Sequence, residues 1–156
     1  MSTPAPSHPP GTVRARLLVI GYGNTLFGDD GLGQLIAQHV ADWAVPGVLA
    51  LARHELTPEL AYDIAAADEV IFVDAALHTD GVVFVPVAPA APEREGIEHA
   101  LTPAALLALA RTAFGHAPRH AWQLLVPARD FTLGNSLSDV AREGLSRALE
   151  GIARRV

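Results

Sequence analysis

The sequence predicts an open, three-layer α/β fold: a twisted five-stranded sheet, mostly parallel, with one antiparallel edge strand and helices on both faces. Three observations carry that expectation. Leu17 to Ile20 form an apolar run closed by Gly21, and Leu32, Leu35, Ile36, Val40 and Trp43 follow at helical spacing, so the opening reads strand, glycine-rich loop, helix. Strand-like and helix-like segments then alternate as βαβαβ up to Asp74, the pattern of a parallel sheet with helical crossovers. Too few residues separate Asp74 from the next apolar segment for a crossover, so that strand must run antiparallel.

Each element has its own warrant. Val48 to Arg53 reads as the second strand and ends at His54-Glu55. Thr57 offers an N-cap and Pro58 a first helical residue for a helix running to about Ala66. Val70 to Val73 is an unbroken apolar strand ending on Asp74. Val82 to Val87 is the antiparallel strand, and Pro86 within it demands an edge, because a central strand would need its N–H. The loop from Ala88 to Leu101 must return the chain to the carboxyl edge and carries His99 there. Thr102 and Pro103 then open a helix bearing Leu106, Leu107, Leu109, Ala110 and Phe114, with Gly115 as its stop. Ala121 to Val126 is the last strand, followed by a loop from Pro127 to Leu137. Ser138 caps a final helix with Val140, Leu145, Leu149 and Ile152 on its apolar face.

At 156 residues the chain is one domain, expected over residues 13–156, with residues 1–12 a disordered tail rich in Pro, Ser and Thr. No apolar run approaches the roughly 18 residues of a membrane span, and the tail lacks the features of a targeting segment, so a cytoplasmic protein with no membrane partner is expected. The absence of cysteine excludes disulfides, thiolate catalysis and cysteine-ligated metal. All 11 basic residues are scattered arginines and the net charge is −6, which argues against nucleic acid as a partner.

The loop between Gly21 and Gly33 carries the chemistry. Asp29 and Asp30 stand at a helix start, where backbone N–H groups and the helix dipole favour negative charge, and two carboxylates beside a tight turn suggest a cation site. A dinucleotide fingerprint is the competing reading. Gly21 and Gly23 fit it, but Leu26 occupies the third glycine position and two like charges stand where phosphate would bind. In a parallel sheet the end of the third strand lies at the same edge. Asp30, Asp74 and an imidazole from His99, or alternatively His54, therefore converge on the crevice where such sheets bind ligands. Carboxylate with imidazole and no thiolate suits nickel, zinc or a related divalent ion. An aspartate at a strand end also caps turns, and histidines in loops are commonly just solvated. His8, His39, His78, His116 and His120 have no converging partners and read as surface residues.

Gly21-Tyr-Gly-Asn-Thr-Leu-Phe-Gly-Asp-Asp-Gly-Leu-Gly33 resembles the G-x-G-N-x-L-x-x-D-[DE]-x-x-G opening of the nickel-iron hydrogenase maturation endopeptidases, and Val70-Ile-Phe-Val-Asp74 resembles their strand-ending aspartate. The first motif is long enough to be specific; the second is weak alone but sits at the expected distance. More loosely, His54-Glu-Leu-Thr-Pro-Glu-Leu60 and the segment from Trp122 to Ser138 are similar to the subgroup that serves soluble, NAD-linked hydrogenases.

The resemblance implies an endopeptidase that removes a C-terminal extension from the hydrogenase large-subunit precursor after nickel insertion, recognising the substrate's nickel with two acids and a histidine. By position, the acids are Asp30 and Asp74, with catalytic and metal-contacting roles, and Gly23, Asn24 and Asp29 belong to the substrate-binding loop. Nickel arrives with the substrate, although another divalent ion could occupy the site in the isolated protein. The chain departs from the family at Ala104, just after the proline that opens the third helix, where many members have the histidine. Without it, His99 is the nearest substitute and His54 the second. A non-catalytic, nickel-dependent checkpoint that binds the precursor is the alternative function, ahead of a nucleotide-binding enzyme. No Ser-His-Asp, Cys-His or H-E-x-x-H arrangement is present, so the implied chemistry is metal-assisted hydrolysis.

Overall fold

The computed structural model describes residues 14–91 and 101–156. Five strands form one sheet: β1 (Ala15–Tyr22), β2 (Val48–Arg53), β3 (Ala67–Ala76), β4 (Val83–Pro86) and β5 (His120–Pro127), in the order β2-β1-β3-β5-β4. The first four in that order run parallel and β4 pairs antiparallel with β5, so the mostly parallel sheet with an antiparallel edge is as the sequence predicts. Pro86 lies on that edge strand, where its missing N–H leaves no ladder bond unmade.

Four helices cover the two faces: α1 (Leu32–Asp42), α2 (Leu60–Ala65), α3 (Pro103–Phe114) and α4 (Asp139–Ala153). Strand residues alternate between two cores because successive side chains point to opposite faces. Leu18, Ile20, Val70 and Phe72 pack under α2 and α3, while Leu17, Val19, Ile71 and Val73 pack under α1 and α4. No helix among the described residues is long and apolar enough to cross a membrane.

Local signals hold at most boundaries. The Thr102 side chain accepts the Ala105 N–H at 3.1 Å and Pro103 follows it, while Gly115 closes α3 at φ 74°, a left-handed conformation that costs glycine nothing. Three expectations need correction. The α-helical geometry of α2 begins at Leu60 rather than just after Thr57: the carbonyls of Thr57, Pro58 and Glu59 each bind the N–H three residues on, at 3.1 Å, a tighter turn that precedes the helix. β3 does not stop at Asp74 but continues to Ala76 along β5. Val140 is exposed, because α4 turns its small residues Ala141, Gly144 and Ala148 toward the sheet together with Ile152. A Cβ on Gly144 would stand 2.8 Å from the Val126 side chain, so the close approach of α4 to β5 requires that glycine.

Residues 1–12, expected as a tail, and His99, expected at the site, lie outside the described residues.

Candidate active site

β1 leaves the sheet at Tyr22, and the chain turns through Gly23 at φ 139°, a conformation L side chains avoid; a Cβ there would also overlap the Asp30 carbonyl. The next turn is stitched by its own polar groups. The Leu26 N–H donates to Asn24 Oδ1 at 2.9 Å, the Asn24 N–H to Asp30 Oδ2 at 2.8 Å, and the Gln34 side-chain amide to the Gly23 carbonyl at 2.6 Å. A single 3-10 turn, Gly28–Gly31, then leads into α1.

The adjacent acids Asp29 and Asp30 face different surroundings. Asp29 is 0% exposed. Its carboxylate accepts the N–H groups of Arg129, Asp130 and Ser138 at 2.8, 3.0 and 2.8 Å and the Ser138 hydroxyl at 2.6 Å. Burial works against its charge, but those donors together outweigh it and hold the carboxyl below the usual aspartate range. Asp29, expected as part of a substrate-binding loop, thus ties that loop to the loop after β5. The Gly28 N–H to Gly134 carbonyl and Gly134 N–H to Leu26 carbonyl bonds, both 2.7 Å, complete the clasp.

Asp30 is half-buried, and its charge is felt at Asp74. The last β1–β3 pair is Gly21 with Val73, so Asp74 is the first β3 residue beyond that pairing and still faces Leu125 of β5. Tyr22, one step past Gly21, stands beside it on the α2/α3 face. Asp74 is pushed up to about 6, first by burial and then by the charge of Asp30, with the Tyr22 hydroxyl and the Ala75 N–H acting in opposition. The Tyr22 hydroxyl is itself held well above its ordinary pKa, by burial and then by the Asp74 charge, and it accepts a hydrogen bond from the Gln123 side-chain amide at 3.5 Å. A carboxyl perturbed by desolvation and a like charge at the carboxyl edge of an α/β sheet is a candidate functional group.

The structure therefore brings Asp30 and Asp74 together. His54 does not complete a ligand set with them: it is exposed, beyond the end of β2, with β1 between it and Asp74, and no group of three His, Cys, Asp or Glu among the described residues is placed to hold a metal ion. Ala104 is half-buried in the first turn of α3. His39, His78 and His120 are exposed as expected, whereas His116 is half-buried. It lines a pocket of about 550 Å³ at the opposite end of the strands, walled by Arg14, Arg16, Arg119 and Arg155. Several of those arginines are engaged within the chain: Arg14 pairs with Asp68 at 2.8 Å, and the Arg155 guanidinium lies over the Phe84 and Trp122 rings at 4.2 and 4.7 Å.

Sequence reasoning missed Tyr22 and Gln123 as neighbours of Asp74. Period-two alternation applied to the predicted register would have found Tyr22, since it shares a face with Ile20 and Leu18. No local signal identifies Ser138 as the partner of Asp29.

No family model matches the sequence, and no curated protein matches it. Solved structures do. A nickel-iron hydrogenase maturation protease, HycI, from Thermococcus kodakarensis KOD1 is 25% identical, with TM-score 0.69 over 90% of this chain and 92% of that one. The hydrogenase maturating endopeptidase HybD from E. coli is 21% identical, with TM-score 0.68 over 88% and 89%. A hydrogenase 2 maturation peptidase from Thaumarchaeota archaeon SCGC_AB-539-E09 is 22% identical, with TM-score 0.65 over 90% and 97%. The chain thus shares its α/β fold, over nearly all its length, with solved hydrogenase maturation proteases.

Proposed function

We propose that this protein is an endopeptidase that removes a C-terminal extension from the nickel-loaded large-subunit precursor of a nickel-iron hydrogenase. The observation that carries the reading is the Asp30–Asp74 pair: two carboxylates from distant segments, close enough for one charge to raise the other's pKa, at the sheet edge where this fold binds ligands. The solved neighbours named as maturation proteases support it. So does the specific opening motif from Gly21 to Gly33.

In this reading the nickel belongs to the substrate. Asp30 and Asp74 contact it and hold the scissile peptide in the crevice, where a metal ion can polarise a carbonyl or a water for hydrolysis. Cleavage is then conditional on nickel, because without it the peptide has no anchor between the carboxylates. His99 is the proposed imidazole contact; His54, on the far side of β1 from Asp74, is the weaker candidate. Residues 22–27, with Gly23 and Asn24, form one wall that receives the peptide, and Asp29 ties it to the other, residues 127–137, through the N–H groups of Arg129 and Asp130. The subgroup serving soluble, NAD-linked hydrogenases is the proposed substrate source, from the likeness at residues 54–60 and 122–138, and the cytoplasm the proposed location.

Mixing the purified protein with nickel-loaded precursor tests the reading. A shortened large subunit, seen only when nickel is present, is expected. A stable complex with an intact tail would instead identify a binding checkpoint.

A further inference from the structure

Tyr22 belongs to two neighbourhoods at once. Its hydroxyl sits beside Asp74 and Gln123, and the residue lines a pocket of about 530 Å³ together with His54, Glu55, Leu56, Thr57, Pro58 and Leu101. That volume falls within the range of pockets that hold small ligands, and an apolar lining with a few polar groups is their common composition. Leu56 is buried and Leu101 half-buried, whereas His54 and Glu55 are exposed. Five of its lining residues, Tyr22, Leu56, Thr57, Pro58 and Leu101, carry no charge.

The pocket's place relative to the carboxylates follows from the register. Tyr22 pairs with Arg53 of β2 on one side and stands one step past the Gly21–Val73 pair on the other, next to Asp74. Neighbouring strands lie about 4.8 Å apart, and an extended peptide advances about 3.3 Å per residue with side chains alternating. A peptide lying across the strand ends at Asp74 therefore brings a side chain over the β1–β2 end within about two residues of the bond held there.

We infer that this pocket is the subsite for an apolar side chain of the peptide flanking the cleaved bond, and that Tyr22, Thr57 and Leu101 set the size it accepts. The inference rests on the endopeptidase reading above. Bound there, an aliphatic or aromatic side chain leaves water for the walls of Leu101, Pro58 and Tyr22, and fixes the register of the peptide over Asp30 and Asp74.

The test uses the full-length protein and nickel-loaded precursor, unmodified or with each of the three residues on either side of the cut changed singly to Ala. Wild-type protein should show one position at which Ala raises KM about tenfold with little change in kcat. Thr57→Phe, which adds a ring to the lining, should invert the preference, so that the Ala precursor is cut better than the unmodified one. Leu101→Phe, at another lining residue, should do the same. A purely structural role for these residues would lower activity on every precursor alike. Unchanged side-chain preference in both variants overturns the inference while leaving the endopeptidase reading intact. If either variant fails to fold, the scan on wild-type protein decides: no position with a raised KM overturns it. Should wild-type protein leave even the unmodified precursor uncut, the endopeptidase reading fails first and the subsite with it.

Discussion

The Asp29 carboxylate accepts both the backbone N–H and the hydroxyl of Ser138, at 2.8 and 2.6 Å, across 109 residues of sequence. The same Ser138 oxygen accepts the Ala141 N–H at 3.2 Å as the N-cap of α4. One buried charge thus fixes the first loop, the loop after β5 and the start of the last helix, and leaves its sequence neighbour Asp30 available for the site. Asp29→Asn leaves one oxygen to serve three N–H donors and a hydroxyl, and should cost on the order of 3 kcal/mol, read as a lower midpoint in urea. Because its carboxyl is held below the ordinary value, the stability from Asp29 is complete above the unfolded carboxyl's pKa and lost as pH falls through the folded one. Wild type and variant should therefore converge in acid.

Asp74 behaves in the opposite sense. Its folded value of about 6 lies above the ordinary 3.8, so between those values the folded protein holds a proton that the unfolded chain has released. Stability linked to Asp74 is complete below 3.8 and lost as pH rises through 6. Asp74→Asn removes that loss and should be more stable than wild type at pH 7.5, by on the order of 2 kcal/mol, with no gain at pH 4. Thermal melts at the two pH values check this. A variant less stable than wild type at both would mean that the charge of Asp74 is compensated within the fold.

Much of this architecture was legible in the sequence because its signals are local. Pro86 demands an edge strand, and Thr102, Pro103 and Gly115 bracket α3 with caps that act within a turn. The carboxyl-edge placement of Asp30 and Asp74 follows from βαβ topology, which needs no contact information. What stayed hidden depends on packing between distant segments. Asp29 and Asp30 look alike in sequence; only the docking of residues 129–138 separates them. Val140 looked like a core residue because helical spacing does not say that α4 approaches the sheet through Gly144 and its small neighbours. Tyr22, in sequence, belongs to the loop after Gly21, whereas β1 runs on to it and its hydroxyl meets the Asp74 carboxyl just past the Gly21–Val73 pair.

The isolated protein should hold divalent metal only loosely. Two carboxylates make a weak, open site, and no three-residue ligand group is present among the described residues. Protein purified and treated with chelator should retain far less than stoichiometric nickel or zinc by elemental analysis. Stoichiometric metal that survives chelation would show a resident ion instead.

The imidazole can be assigned by replacing each candidate. His99→Ala should abolish nickel-dependent cleavage, whereas His54→Ala should leave the metal contact in place, since β1 separates His54 from Asp74. Loss with His54→Ala alone reverses the assignment, and no loss with either means that the carboxylates act without an imidazole.

The central claim is that Asp30 and Asp74 act together on a nickel-bearing substrate, and the rate of precursor shortening by Asp30→Asn and Asp74→Asn tests it most directly. Both amides are nearly isosteric, so each variant should remain folded by circular dichroism. With nickel-loaded precursor, each should lose at least about a hundredfold in rate, as expected when a group that contacts the reacting centre is removed. A folded variant of either residue that shortens the precursor at the wild-type rate would contradict the account.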